Sequence, residues 1–239
     1  GNNNTAVGYN SLSAATASNG TAVGNHAAVS STTGQNVTAL GDSALRNATT
    51  PSNNTAIGTD ALRLRTTGGN NTAVGRTAGY QGTTGANNTY IGHAAGYDIT
   101  TGSRNTIIGC FDGNQGGLDI RTSNNNIVLS DGAGNPRQVI DGSGNIMFAK
   151  LAPNATSDGV FVHNEGYLFC NMDNDIPVYV NRQNSNGRVI EFRRDNSEVG
   201  SIRVTTTSTS FNTSSDHRLK ENVTDMTGAI TRLKSLSPK

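Results

Sequence analysis

Few side chains in this sequence have the type and spacing to do chemistry. Asp131-Gly-Ala-Gly-Asn135 and Asp141-Gly-Ser-Gly-Asn145 stand ten residues apart and carry the oxygen ligands that suit Ca²⁺. Asp-Gly is also a hairpin turn, and no bidentate Glu follows at loop distance, so both units are read as turns. Cys110 and Cys170 are read as free, inert thiols of a protein assembled in a reducing cytoplasm; a disulfide between them is an alternative that the spacing does not demand. His26, His93, His163 and His217 are scattered; His26 and His93, two and one residues after a repeat glycine, read as solvent-side variable positions, and no Cys/His cluster has zinc spacing. There is no phosphate loop or dinucleotide motif. Hence no cofactor and no metal is expected. Cleaving a glycan takes a converging carboxylate pair, and sequence does not show which of the few Asp and Glu converge. What remains is Ser214-Ser-Asp-His-Arg-Leu-Lys-Glu-Asn222, where a serine precedes a lysine by five residues. A desolvated lysine can deprotonate a serine, but such pairs arise by chance, and the spacing alone assigns them no role.

The elements that would position these residues are dominated by a repeat. Seven motifs recur from Thr5-Ala-Val-Gly8 through Thr21-Ala-Val-Gly24, Thr38-Ala-Leu-Gly41, Thr55-Ala-Ile-Gly58, Thr72-Ala-Val-Gly75 and Thr89-Tyr-Ile-Gly92 to Thr106-Ile-Ile-Gly109. The glycines are spaced once by 16 residues and then five times by 17. A small residue follows each of the first six glycines by three places: Ser11, Ala27, Ala44, Ala61, Ala78 and Ala95. Paired threonines end at Thr33, Thr50, Thr67, Thr84 and Thr101, and an Asn or Asn-Asn opens most units.

A fixed short period means a solenoid, one coil per unit. Helix pairs need about twice this length, and Gly, Asn and Thr are poor helix formers. Gly and Asn tolerate positive φ at corners, whereas Thr, Val and Ile suit strands. Residues 1–110 therefore read as a parallel β-roll. Its core is expected to hold the Val, Ile or Leu before each glycine, the threonine two places earlier, and the small residue after it. At about 25 cal/mol per Å², one large side chain per coil is too little to order 17 residues, so burial against other copies is expected. The alanine column would let three backbones approach one axis, which predicts a homotrimer.

After the roll, residues 111–150 read as short hairpins. Residues 151–213 read as a distal antiparallel module, with strands near Val160, Tyr167, 177–181, Arg188, Val199 and Thr209. Its cluster Arg188, Glu191, Arg193, Arg194, Asp195 and Glu198 reads as a solvated or inter-subunit ion-pair face, with a glycan or receptor groove as the alternative. Residues 214–239 carry helical spacing at Leu219, Val223, Met226, Ile230 and Leu233, which predicts a short C-terminal helix. The fold class is thus all-β, a trimeric roll and an antiparallel module ending in that helix. The composition, 33% hydrophobic and 5% aromatic with no Trp, suits an elongated protein. A net charge of +1 argues against nucleic acid, and no apolar run is long enough to insert in a membrane. Gly1 falls inside a repeat, so the chain reads as a fragment or processed form.

The Asn-Thr-Ala-Val-Gly-x-x-Ala units resemble the left-handed β-roll heads of trimeric autotransporter adhesins, and equally the repeats of many tailed-phage fibres. That resemblance covers residues 1–109 and speaks to architecture. Residues 214–222, with 205–214 and 230–238 around them, resemble the start of the intramolecular chaperone domain that closes many phage tailspikes and tail fibres. The resemblance implies a domain that trimerises, guides β folding and cuts itself off by a serine–lysine reaction. It makes Ser215 the nucleophile, with cleavage after it, and Lys220 the base. Only 24 residues follow Ser215, far fewer than that domain has, and they remain attached.

The resemblance implies a structural and host-adhesion segment of a homotrimeric phage tail fibre, part of the virion and assembled in the host cytoplasm. Its partners would be other virion tail proteins and a host cell-surface glycan or protein. No substrate turnover is expected beyond single-turnover self-cleavage. Alternatives are a cellular trimeric adhesin head and part of a capsule-depolymerising tailspike. Ice binding by the threonine ladder is set aside because those threonines are read as pointing inward.

Overall fold

The computed structural model describes residues 2–16, 18–50, 52–148, 159–172, 176–178 and 180–213. Among them every regular element is a strand. The seven motifs form β1 (Thr5–Val7), β2 (Thr21–Val23), β3 (Thr38–Leu40), β4 (Thr55–Ile57), β5 (Thr72–Val74), β6 (Thr89–Ile91) and β7 (Thr106–Ile108). Each pairs in parallel with the next, threonine on threonine and aliphatic on aliphatic, with no slip along the series. The roll read from the 17-residue period is the observed architecture.

The glycine after each strand is required twice over. Its φ lies between +113° and +143°, a region that L side chains avoid. A Cβ on Gly8, Gly24, Gly41, Gly58, Gly75 or Gly92 would also lie 2.1–2.6 Å from the carbonyl oxygen of the next coil's glycine.

The strand faces are opposite to those expected. The middle residue points into the coil: Ala22, Ala39, Ala56, Ala73, Tyr90 and Ile107 are all buried. The threonine and the aliphatic residue flanking it point out, so Val7 is 57% and Leu40 47% exposed. Alternation puts residues 1 and 3 of a three-residue strand on one side. The other inward column, Ala27, Ala44, Ala61, Ala78 and Ala95, is also fully buried within the single chain. These alanines pack inside each coil and are not available to bring three backbones together. Two facing alanine columns leave a narrow interior, and the larger side chains enter it elsewhere. Leu12, Leu45 and Leu62 fill it from left-handed corners, at φ near +50°.

Tyr90 is the exception that reveals the packing rule. It occupies an alanine position, and the leucine position is glycine in its own coil and the one before. A Cβ on Gly79 or Gly96 would lie 2.7 or 2.5 Å from the Tyr90 ring. Arg65 enters the same layer, donates from Nη1 to the carbonyl of Gly85, and is fully buried.

Asparagines close the stack. In the column Asn54, Asn71, Asn88, Asn105 and Asn126, each side-chain oxygen accepts the backbone N–H of the next member, at 2.8–3.0 Å. Their Nδ2 groups donate to loop carbonyls, such as Asn88 to Gly102 at 2.9 Å. Buried amides are tolerable because almost every group finds a partner this way.

The roll runs past Cys110, where it was expected to end. A small hairpin of β8 (Asn114–Gln115) and β9 (Leu118–Asp119) lengthens the coil, and Phe111 and Ile120 plug it. Then β10 (Ile127–Ser130) lays a further parallel strand on β7. The chain continues as an antiparallel meander, β11 (Pro136–Ile140), β12 (Ile146–Phe148), β13 (Gly159–Val162) and β14 (Leu168–Asn171), completing a twelve-stranded sheet. The Asp131 and Asp141 units make its hairpin turns: Asp131 Oδ1 accepts the N–H groups of Ala133 and Asn135, each at 2.9 Å.

Two compact units result, Gly1–Pro177 and Val178–Lys239. The module expected over 151–213 is divided between them, because β13 and β14 belong to the long sheet. In the second unit, β15 (Gly187–Arg194), β16 (Ser197–Val204) and β17 (Thr209–Thr213) form an antiparallel sheet. The strand expected over 177–181 is not observed among the described residues there. The C-terminal helix and the chaperone start fall in 214–239, outside the described residues.

Candidate interaction surface

The residue after each glycine turns away from the coil. This column reads Tyr9, Asn25, Asp42, Thr59, Arg76 and His93, and every member is exposed. The neighbouring strand positions hold nearly constant residues, whereas this one runs through six chemistries, as does the corner position after it, Asn10, His26, Ser43, Asp60, Thr77 and Ala94. Rungs of a stacked parallel sheet lie about 4.8 Å apart, so neighbours in the column touch. Asn25 donates to Asp42 at 2.7 Å, Arg76 Nη1 lies 3.0 Å from His93 Nε2, and the Tyr9 ring meets His26 edge-on. The histidines thus take part in surface contacts.

A second outward patch lies over the fourth to sixth coils. Tyr80 and Tyr97 stack with ring centroids 4.9 Å apart, and Arg63 caps the stack while pairing with Asp60 at 3.1 Å. Beside them Gln81 donates to Asp98 at 2.6 Å. Burial, reinforced by Asp112, pushes the Asp98 carboxyl above its ordinary value, and Arg121 opposes this.

The strand face is a third surface, uncharged and apolar. Its described members include Val7, Leu40, Ile91, Ile108, Ile127, Leu129, Phe148 and Leu168, all exposed.

The other candidates resolve into structure. Asp131 is bonded by Arg137, Asn135 and its own turn, which hold its carboxyl at about 2. Arg188 pairs with Glu191 at 2.7 Å and also with Glu198, so the charged hairpin carries ion pairs within the single chain. Cys110 and Cys170 are both free. Among the described residues no three His, Cys, Asp or Glu side chains converge as metal ligands, and no helix is long and apolar enough to cross a membrane. A hollow of about 240 Å³ lined by Thr100, Asp119, Arg121 and Thr122 is closed chemically by the Arg121–Asp119 pair at 2.8 Å. Ser215 and Lys220 lie outside the described residues, so this geometry neither joins nor separates them.

Sequence reasoning placed His26 and His93 at solvent-side variable positions but did not extend that reading to the whole column after the glycines, whose signal is its variation between repeats. It also missed the apolar face, since alternation does not say which side is in. Compared with protein-family models, curated proteins and solved structures, the chain matches none.

Proposed function

We propose that this chain is a structural and host-adhesion segment of a homotrimeric phage tail fibre. The observation that carries the reading is the column Tyr9, Asn25, Asp42, Thr59, Arg76 and His93, which varies between repeats and is exposed at every member. A repeating backbone that presents varied exposed side chains suits recognition of a surface rather than turnover of a substrate. The ligand is a host cell-surface glycan or protein, met by hydrogen-bonding groups of both signs. Asp42, Arg76 and His93 carry the polar contacts, and Tyr9 adds an aromatic face.

The test is binding of the purified full chain to host cells. Replacing Asp42, Arg76 and His93 together by alanine should lower cell binding at least tenfold and leave the melting temperature within a few degrees. Undiminished binding by the triple variant would reject this column as the adhesive surface.

The C-terminal resemblance adds a processing step to the proposal. Ser215, with Lys220 as base, would promote hydrolysis of the Ser215–Asp216 peptide bond: water adds, the C–N bond breaks, and the products are the Ser215 carboxylate and the Asp216 amine. Mass spectrometry of a longer precursor checks this: Ser215→Ala should give one uncleaved product where the parent gives two. Cleavage persisting in Ser215→Ala sinks the assignment.

A further inference from the structure

We infer that the outward threonine–aliphatic face of the long sheet is the surface on which further copies of this chain dock. This deepens the trimeric fibre reading and rests on it, but it names a different surface from the alanine column, which is consumed inside each coil.

The outward columns run through Thr5 and Val7 to Thr106 and Ile108 in unbroken register. They pass onto the meander without a change of side, because Ile127 stands beside Thr106 and Leu129 beside Ile108. Phe148 lies opposite Gln138 and Val160 opposite Phe148. Across these strands the face holds only Thr, Gln, Cys and apolar side chains, while Asp42, Asp60, Arg76 and Asp98 stand in the loops beside it. Roughly a dozen large apolar residues, each leaving on the order of 60 Å² uncovered, give about 700 Å², near the ~800 Å² per partner of a stable interface. Monomeric proteins seldom leave so continuous an apolar patch in water.

The occupant follows from charge and pitch. An uncharged face offers no ion pairs to a charged partner and costs little polar desolvation against another uncharged one. A ladder that repeats every rung, about 4.8 Å, is matched over its whole length by a surface with the same repeat. This chain carries one. The threonines point outward, so ordered water or ice is the competing occupant. Alternating Val, Leu and Ile beside the threonines give that face an uneven height, which favours interdigitating side chains over a flat water layer.

The experiment uses the full chain. Light scattering should return the mass of three chains, and Leu40→Asp with Ile57→Asp should lower it threefold, while the loop change Thr59→Asp should leave it unchanged. Hydroxyl-radical labelling of the unaltered protein supplies a second readout that needs no variant. Leu40, Ile91 and Ile108 should label several-fold less than their exposure in a lone chain implies, while Tyr9 labels freely. A three-chain mass that survives both aspartates overturns this face and leaves the trimeric reading standing. A one-chain mass with Leu40 and Ile91 freely labelled overturns both. Thermal hysteresis in a freezing assay from such single chains would assign the face to ice.

Discussion

Gly58 shows how little latitude single residues have in this stack. An alanine there would combine a φ of +130° with a Cβ 2.5 Å from the Gly75 carbonyl oxygen. Backbone on both sides leaves no flexible side chain to yield, so Gly58→Ala should cost about 3 kcal/mol or more in chemical denaturation. Asn71 is constrained by hydrogen bonds instead. Its side-chain oxygen accepts the N–H of Asn88, and its Nδ2 donates to Asn54, Gly69 and Gly85. Truncation to alanine strands these groups, for a loss of about 2–3 kcal/mol in the same measurement. Arg65 argues the other way. Its guanidinium is buried with no carboxylate partner among the described residues, and Nε and Nη2 have no hydrogen-bond partner. Desolvation lowers its pKa, and Arg65→Met should be neutral or raise the melting temperature. Tyr90, beside it, is pushed up to about 12 by burial. An unfolded tyrosine ionises near 10, so the folded chain holds the extra proton between these values. Stability is therefore full below pH 10 and falls as pH rises towards 12, a step that Tyr90→Phe should remove from an alkaline melting series.

The elements were legible where backbone chemistry is local. Thr-x-x-Gly placed every one of the first seven strands, and Asp-Gly placed the β10–β11 and β11–β12 turns. The carboxylate of Asp131 is held down first by Arg137, then by Asn135. Its contribution to the turn is present above pH 4 and lost as pH falls through about 2. An NMR titration of the Asp131 carboxyl carbon should have its midpoint near 2; a midpoint near 4 would show that the Arg137 contact is not maintained. Strand length was less legible. The apolar run over 177–181 has strand composition but is not observed as a strand among the described residues, because composition does not supply a pairing partner. The end of the roll was misplaced for a related reason. Asp112 breaks the small-residue column, but Phe111 buries itself one position earlier, and the longer coil still delivers β10 to β7.

On the scale of the whole chain, a solenoid's stability is the sum of coils and the contacts between neighbours. Removing residues 25–41 joins Gly24 to Asp42 in register, one whole coil shorter. This variant should keep a cooperative β-sheet unfolding transition by circular dichroism. Removing only nine residues from the same stretch puts threonine against loop and should abolish that transition.

The period, the corners and the all-β class follow from the amino acids alone. Glycine and asparagine dictate where a chain can turn, and turns 17 residues apart leave little choice of coil. Which side of each strand faces inward is a property of the stack. A two-residue alternation defines two faces and ranks neither, and Ala flanked by Thr and Val could face either way. The narrow gap between facing coil walls settles it: alanine fills the inward position up to Ala73, and larger side chains take it only in the next two coils, as Tyr90 and Ile107. The same gap explains Tyr90: its ring enters only where Gly79 and Gly96, distant in sequence, leave room together.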